Sequence, residues 1–307
     1  MPPPPSTVLE RRRGRRVVDG SALSAFVPLV AIVPVGLLAL AVVWLPLWWL
    51  LSVPYWWVVL AFAAGAILLF LRPVQAVLLT WVLGTRPPTR TEQVRLDTAW
   101  RSVLQANHLP PSRYLLTVLD SDELNAFACG GHLVVVTSYA VDTLPRDELS
   151  GVLAHELSHH LGSHTVALTI GQWWSLPVLL LARIGFFLQS VAGAATDSYA
   201  RESAALRAVG GLVRAVLTGL SWVFLSGLLA SNALGNYVSG ASEYDADRRA
   251  VDMGFGPPLA SALRRFVRDE PPRPRGVRGR LVSTHPPART RVARIDALGR
   301  SRGVTAR

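Results

Sequence analysis

The chain has 307 residues, half of them hydrophobic and only 17% charged, with a formal net charge of +11 at pH 7. Soluble domains carry about a quarter charged residues, and the deficit here is concentrated, since no charged side chain lies between Asp19 and Arg72. A bilayer span needs ~20 apolar residues, so this stretch holds two spans, which excludes a disordered chain and a purely soluble fold.

The first residues read PPPPS, then RRRGRR, then an apolar run too long for a cleaved signal peptide. The run is therefore a retained anchor, with predicted spans over 25–48 and 54–71. Trp48, Trp49, Tyr55, Trp56 and Trp57 lie between them and form an aromatic belt of the interfacial kind. Residues 91–107 show helical periodicity through Val94, Leu96, Trp100, Val103 and Leu104. Two β-branched runs, 114–119 and 132–137, are predicted strands. Between them Cys129, the only cysteine, excludes an intrachain disulfide and reads as a small packing residue beside Gly130 and Gly131. Pro145 followed by Arg146, Asp147 and Glu148 opens a helix with acids in its first turn.

Two later uncharged regions predict spans at about 165–187 and 212–234, with Arg183 and Arg214 near their ends. A hydrophobic helical hairpin buried against the soluble part is the alternative for this pair. A further helix is expected over 241–253, stopped by Gly254, and residues 271–280 (PPRPRGVRGR) form a loop without core-forming content. All 31 basic residues are arginine, which reads as a coding bias. Five arginines precede the first span, the loop between the first two spans has no charge, and residues 240–307 hold 15 arginines against seven acids. The positive-inside rule then places both termini in the cytoplasm. Attraction to anionic lipid accounts for the arginine-rich segments, and no nucleic-acid partner is expected.

Residues 152–164 read VLAHELSHHLGSH and contain an HExxH pattern, His155–Glu156–x–x–His159. Four residues make slightly more than one helical turn, so both imidazoles project from one face and can bind one zinc ion. Glu156 lies beside the first ligand, in position to act as general base on the attacking water. A zinc site with an open position needs a third protein ligand. The metzincin spacing fails, because position 165 is a threonine and His164 falls one residue short. Glu243 in ASEYDADRRA is the better candidate. Glu243 and Asp247 share a helix face, so one carboxylate can bind metal while the other orients an imidazole. A solvated acidic helix face would give the same pattern. On the helix, His160 and His164 lie about 100° and 140° from His159, off the zinc face. His108 and His132 have no partner at ligand spacing.

The motifs NAFACGG (125–131), VLAHELSHH, SEYDAD and STHPPARTRV (283–292) together resemble the HtpX-type membrane metallopeptidases, relatives of the zinc-dependent CAAX prenyl proteases. The resemblance covers residues 25–296. It implies a mainly α membrane protein with about four transmembrane helices and a small α+β, gluzincin-like catalytic domain on the cytoplasmic face. The expected organisation is a basic tail (1–24), a transmembrane hairpin (25–71), the first part of the catalytic domain (72–164), a hydrophobic pair (165–235), and the second part with a basic tail (236–307). One Zn2+ per chain is implied, with His155, His159 and Glu243 as ligands, Glu156 as general base and Asp247 bonded to a ligating histidine. Asn125, Ala126, Phe127 and Ala128 would lie on a strand edge where substrate adds as an extended strand. His285 would approach the site to stabilise the oxyanion or control zinc access, with Arg291 supporting it.

The implied activity is a bacterial inner-membrane, multi-pass zinc endopeptidase acting on misfolded or damaged membrane proteins. Two alternatives stand beside it: a regulatory protease with one dedicated substrate, and a catalytically silent membrane scaffold that kept a structural zinc. The residues themselves point to peptide hydrolysis near a bilayer.

Overall fold

The long uncharged stretch folds as helix because its apolar side chains leave the backbone no water to bond to. In the computed structural model, which describes residues 25–162, 164–199, 203–269 and 287–305, it gives α1 (Val27–Leu51) and α2 (Tyr55–Leu68). The turn between them closes through Ser52 in the left-handed region. It is tied by Trp44 Nε1 donating to the Val53 carbonyl at 2.6 Å and Tyr55 Oη to the Leu37 carbonyl at 2.7 Å.

Two units emerge from the chain. One combines Phe26–Ala66 with Ile170–Gly235, and the other combines Ile67–Thr169 with Asn236–Arg307. The first is all helix: α1, α2, most of α7 (His164–Tyr199) and the greater part of α8 (Ala204–Asp252). Ile32, Ala39, Val178, Ala182 and Phe224 form its buried centre. Trp173 and Trp174 close over Gly65 and Gly36, and the Trp173 indole donates to the Phe62 carbonyl at 2.9 Å. Its outer surface is apolar, as lipid requires, with Val30, Leu60, Phe187 and Leu212 all more than half exposed.

Among the described residues α1, α7 and α8 are long and apolar enough to cross a membrane. α2 has 14 residues and is followed after three residues by α3 (Arg72–Leu83), the two meeting at a bend of 82°. The predicted span at 212–234 and the predicted helix at 241–253 are one uninterrupted helix, α8. No proline separates them, and glycine alone costs too little to end a helix this long.

The second unit holds the strands. β1 (Thr85–Arg86), β2 (Leu115–Leu119), β3 (Ala126–Cys129) and β4 (Leu133–Thr137) make one sheet in the order β1-β2-β4-β3. β2 and β4 pair in parallel at its centre, where β4, LVVVT, is fully buried. β3 returns antiparallel on β4 and leaves its other edge open among the described residues. The β3–β4 turn uses Gly130 at φ +62°, a conformation that glycine adopts without cost.

α4 (Arg90–Ala106) starts with a capping box, Thr89 and Glu92 each bonding the other's backbone N–H. α5 (Ser138–Thr143), α6 (Arg146–Leu161), α9 (Gly256–Asp269) and α10 (Ala288–Thr305) complete the unit. Leu96, Trp100, Val134, Leu149, Leu153, Leu157 and Leu259 make its core. The predicted strands at 114–119 and 132–137 are β2 and β4, and β1 is a two-residue element with no pattern to read. The tail 1–24 and the loop 271–280 lie outside the described residues.

Candidate metal centre

α6 carries the HExxH pattern through the middle of the unit. Pro145 sets its start, and Asp147 and Glu148 sit in the first turn, where carboxylates favour the helix dipole. Most of the helix is buried, because the sheet, α4 and α9 all pack on it. At its other end the Ser158 carbonyl accepts from Arg249 Nη1 of α8 at 3.1 Å, which ties the two ligand-bearing helices together. His160 Nε2 lies 2.9 Å from the Leu133 carbonyl and fastens the same turn to β4.

This framework brings His155, His159 and Glu243 together. The two Nε2 atoms are 3.2 Å apart. The Glu243 carboxylate approaches His155 through Oε2 and His159 through Oε1, each at 3.4 Å. Zinc bonds of ~2.0–2.1 Å in tetrahedral array require ligand atoms about 3.3–3.4 Å apart. The two-imidazole, one-carboxylate donor set therefore fits a tetrahedral cation with its fourth position open. His155 and Glu243 are buried, at 5% and 3% exposed, and His159 is partly open.

Around the triad lies a second ring of charge. His155 Nδ1 is 3.0 Å from Asp247 Oδ1, so Asp247 fixes the tautomer that turns Nε2 toward the cluster. Arg291 of α10 donates through Nε and Nη2 to both oxygens of Asp247, at 2.9 and 2.7 Å, and through Nη1 to Glu243 Oε2 at 2.8 Å. Burial and the Arg291 charge both work against a proton on His155, yet its bonds to Asp247 and Glu243 outweigh them and hold it up at about 9. Asp247 is held below its ordinary value: burial opposes ionisation, and the bonds from His155 and Arg291 overcome that. The guanidinium likewise stays charged despite burial, through Asp247, Glu243 and the nearby Glu156.

Glu156 is 7% exposed and directly follows His155 on α6. Ala126, Phe127 and Ala128 lie on the open edge strand β3, which packs against α6. Asn125 precedes the strand, its N–H bonded to Thr137 Oγ1 at 3.1 Å. His285 lies outside the described residues. Arg291 is bonded to Asp247 and Glu243, a role that the motif around His285 did not suggest. His164 also differs from the helical-wheel reading. α6 ends at Leu161, so the angle no longer applies, and the His164 ring stands 6.0 Å from that of His159.

Residues 90–298 match peptidase family M48. The chain belongs to that family. The M48 chain is 30% identical over 239 residues to the protease HtpX homolog of Salinibacter ruber, covering 70% of this chain and 78% of that one. It is 28% identical over 225 residues to protease HtpX of Aeromonas hydrophila, covering 68% and 74%. In fold it is similar to the crystal structure of S. mikatae Ste24p, with a TM-score of 0.50 and 16% identity; the match covers 83% of this M48 chain and 61% of that one.

Proposed function

We propose that this M48 peptidase is a membrane-embedded, zinc-dependent endopeptidase that cleaves membrane-associated or misfolded polypeptides in the service of envelope quality control. The convergence of His155, His159 and Glu243 at tetrahedral ligand spacing, with Glu156 beside them, carries the reading. When bound, zinc supplies Lewis-acid polarisation of the scissile carbonyl and lowers the pKa of the attacking water. Glu156 accepts that water's proton on its carboxylate and passes it to the leaving amine. Asp247 keeps His155 oriented, and Arg291 neutralises the two buried carboxylates. The open edge of β3 receives substrate as an added strand, with Asn125, Ala126, Phe127 and Ala128 along it.

α1, the apolar segment 54–71 built around α2, α7 and the first part of α8 are read as four crossings, with both termini and the metal centre on the cytoplasmic side of a bacterial inner membrane. The arginine bias of the terminal segments supports that orientation. His285, ahead of Pro286 and Pro287, is proposed as an oxyanion-side residue.

The decisive comparison uses wild type and Glu156→Gln, both zinc-loaded in detergent, with casein as substrate. The variant should keep its zinc and lose on the order of 10²–10⁴ in rate. Equal cleavage by both proteins would remove Glu156 from its role. Zinc binding without cleavage of casein by wild type would favour a protease with a single dedicated substrate.

A further inference from the structure

α3 begins three residues after α2 and carries large apolar side chains on its outer face. Val77 is 73% exposed, Trp81 79%, Val82 62% and Leu78 39%. They stand at i, i+1, i+4 and i+5, which makes two adjacent rows on one side of the helix. A soluble surface would not concentrate four such residues on three helical turns. The inner side is already used, and the π-helical turn over Gln75–Leu79 sets Gln75 on it, away from Leu78 and Val82. Gln75 is 1% exposed and lies so close to Gly130 that a Cβ there would come within 2.7 Å of Gln75 Nε2. Gly130 is the turn that ends β3, the open edge strand.

The chain itself says what covers the outer face. Arg72, the first charged side chain after Asp19, opens α3, so the chain reaches the polar boundary there. α3 turns from the axis of α2 by 82° at that point, the geometry of a helix that leaves a span for the interface. No acidic residue interrupts Arg72–Leu83, and tryptophan is a preferred residue at the headgroup level.

We propose that α3 is an interfacial helix, seated in the lipid headgroup region through Val77, Leu78, Trp81 and Val82. Its inner side lies against the Gly130 turn that follows β3. This rests on the membrane reading above.

The test places a bimane fluorophore at single cysteines in a Cys129→Ala background, in proteoliposomes containing anionic lipid. Val77→Cys and Trp81→Cys report on α3, Leu38→Cys of α1 is the deep control, and Arg101→Cys on the exposed side of α4 is the aqueous control. Quenchers are aqueous iodide and lipids bearing a nitroxide either near the headgroup or near the chain end. Positions 77 and 81 should be quenched most by the headgroup-proximal nitroxide and little by iodide. Iodide quenching equal to that at position 101 would overturn the proposal. So would protection from all three quenchers, which would mean a protein partner or second copy on this face. Dominant quenching by the chain-end nitroxide would make α3 half of a broken span and overturn it too. If position 38 escapes lipid quenching, the membrane reading itself falls, and this proposal with it.

Discussion

Arg291 shows how much of the metal centre rests on one side chain outside the HExxH helix. Its guanidinium is shared between Glu243 and Asp247, both buried, so its loss would leave two carboxylates without compensation. Arg291→Leu should destabilise the peptidase unit by about 3–5 kcal/mol, the usual result of breaking a buried ion pair from one side; thermal unfolding in detergent measures it. Asp247→Asn is milder, because the amide still fills the space and can still accept from His155. It should weaken zinc binding by about 10–100-fold, read by competition with a chromogenic chelator. The HExxH residues were legible from sequence because helical spacing fixes their geometry locally. Glu243 was legible as one acid among three in its segment, and only the α6–α8 packing selects it. Arg291 could have been suspected, since a buried pair of acids needs a cation, but nothing in the chain says which of 15 arginines in 240–307 supplies it.

At the level of elements, α6 and α9 approach each other through Gly151, where a Cβ would overlap the Leu259 backbone. Backbone cannot give way as a flexible side chain can, so Gly151→Ala should cost about 1–3 kcal/mol through overpacking. The same thermal scan checks it, and a variant within a few tenths of wild type would show that α9 shifts freely. The start of α4 carries the pH dependence. The Arg86 hydrogen bonds, with smaller help from Thr89, hold Glu92 down to about 2, from an ordinary value of 4.5. The native state therefore binds fewer protons at this site, and its contribution is complete above pH 4.5 and lost as pH falls toward 2. Glu92→Gln should thus be less stable than wild type at pH 7, and the gap should narrow at pH 3. α4, β2 and β4 were readable because periodicity and β-branching are local. β1 was not, since two residues carry no period and the pairing with β2 is made by the fold alone.

Over the whole molecule, the apolar helices were legible in rough position, because a bilayer demands length and hydrophobicity that any sequence must display. Their lengths were not: α7 and α8 run past the apolar windows, since backbone hydrogen bonds carry a helix on whether or not its side chains remain apolar, and α7 continues even through Pro177. The sequence by itself determined that this is a membrane protein carrying an HExxH helix, and that two imidazoles share a face with a glutamate beside them. Those properties depend on composition and on spacing within one helix. Tertiary structure alone brought Glu243, already the candidate in the sequence, beside the two imidazoles, set Arg291 between the buried carboxylates, and left one edge of β3 open with its Gly130 turn against Gln75 of α3. Each of these joins residues far apart in the chain, and only packing brings such residues within bonding distance.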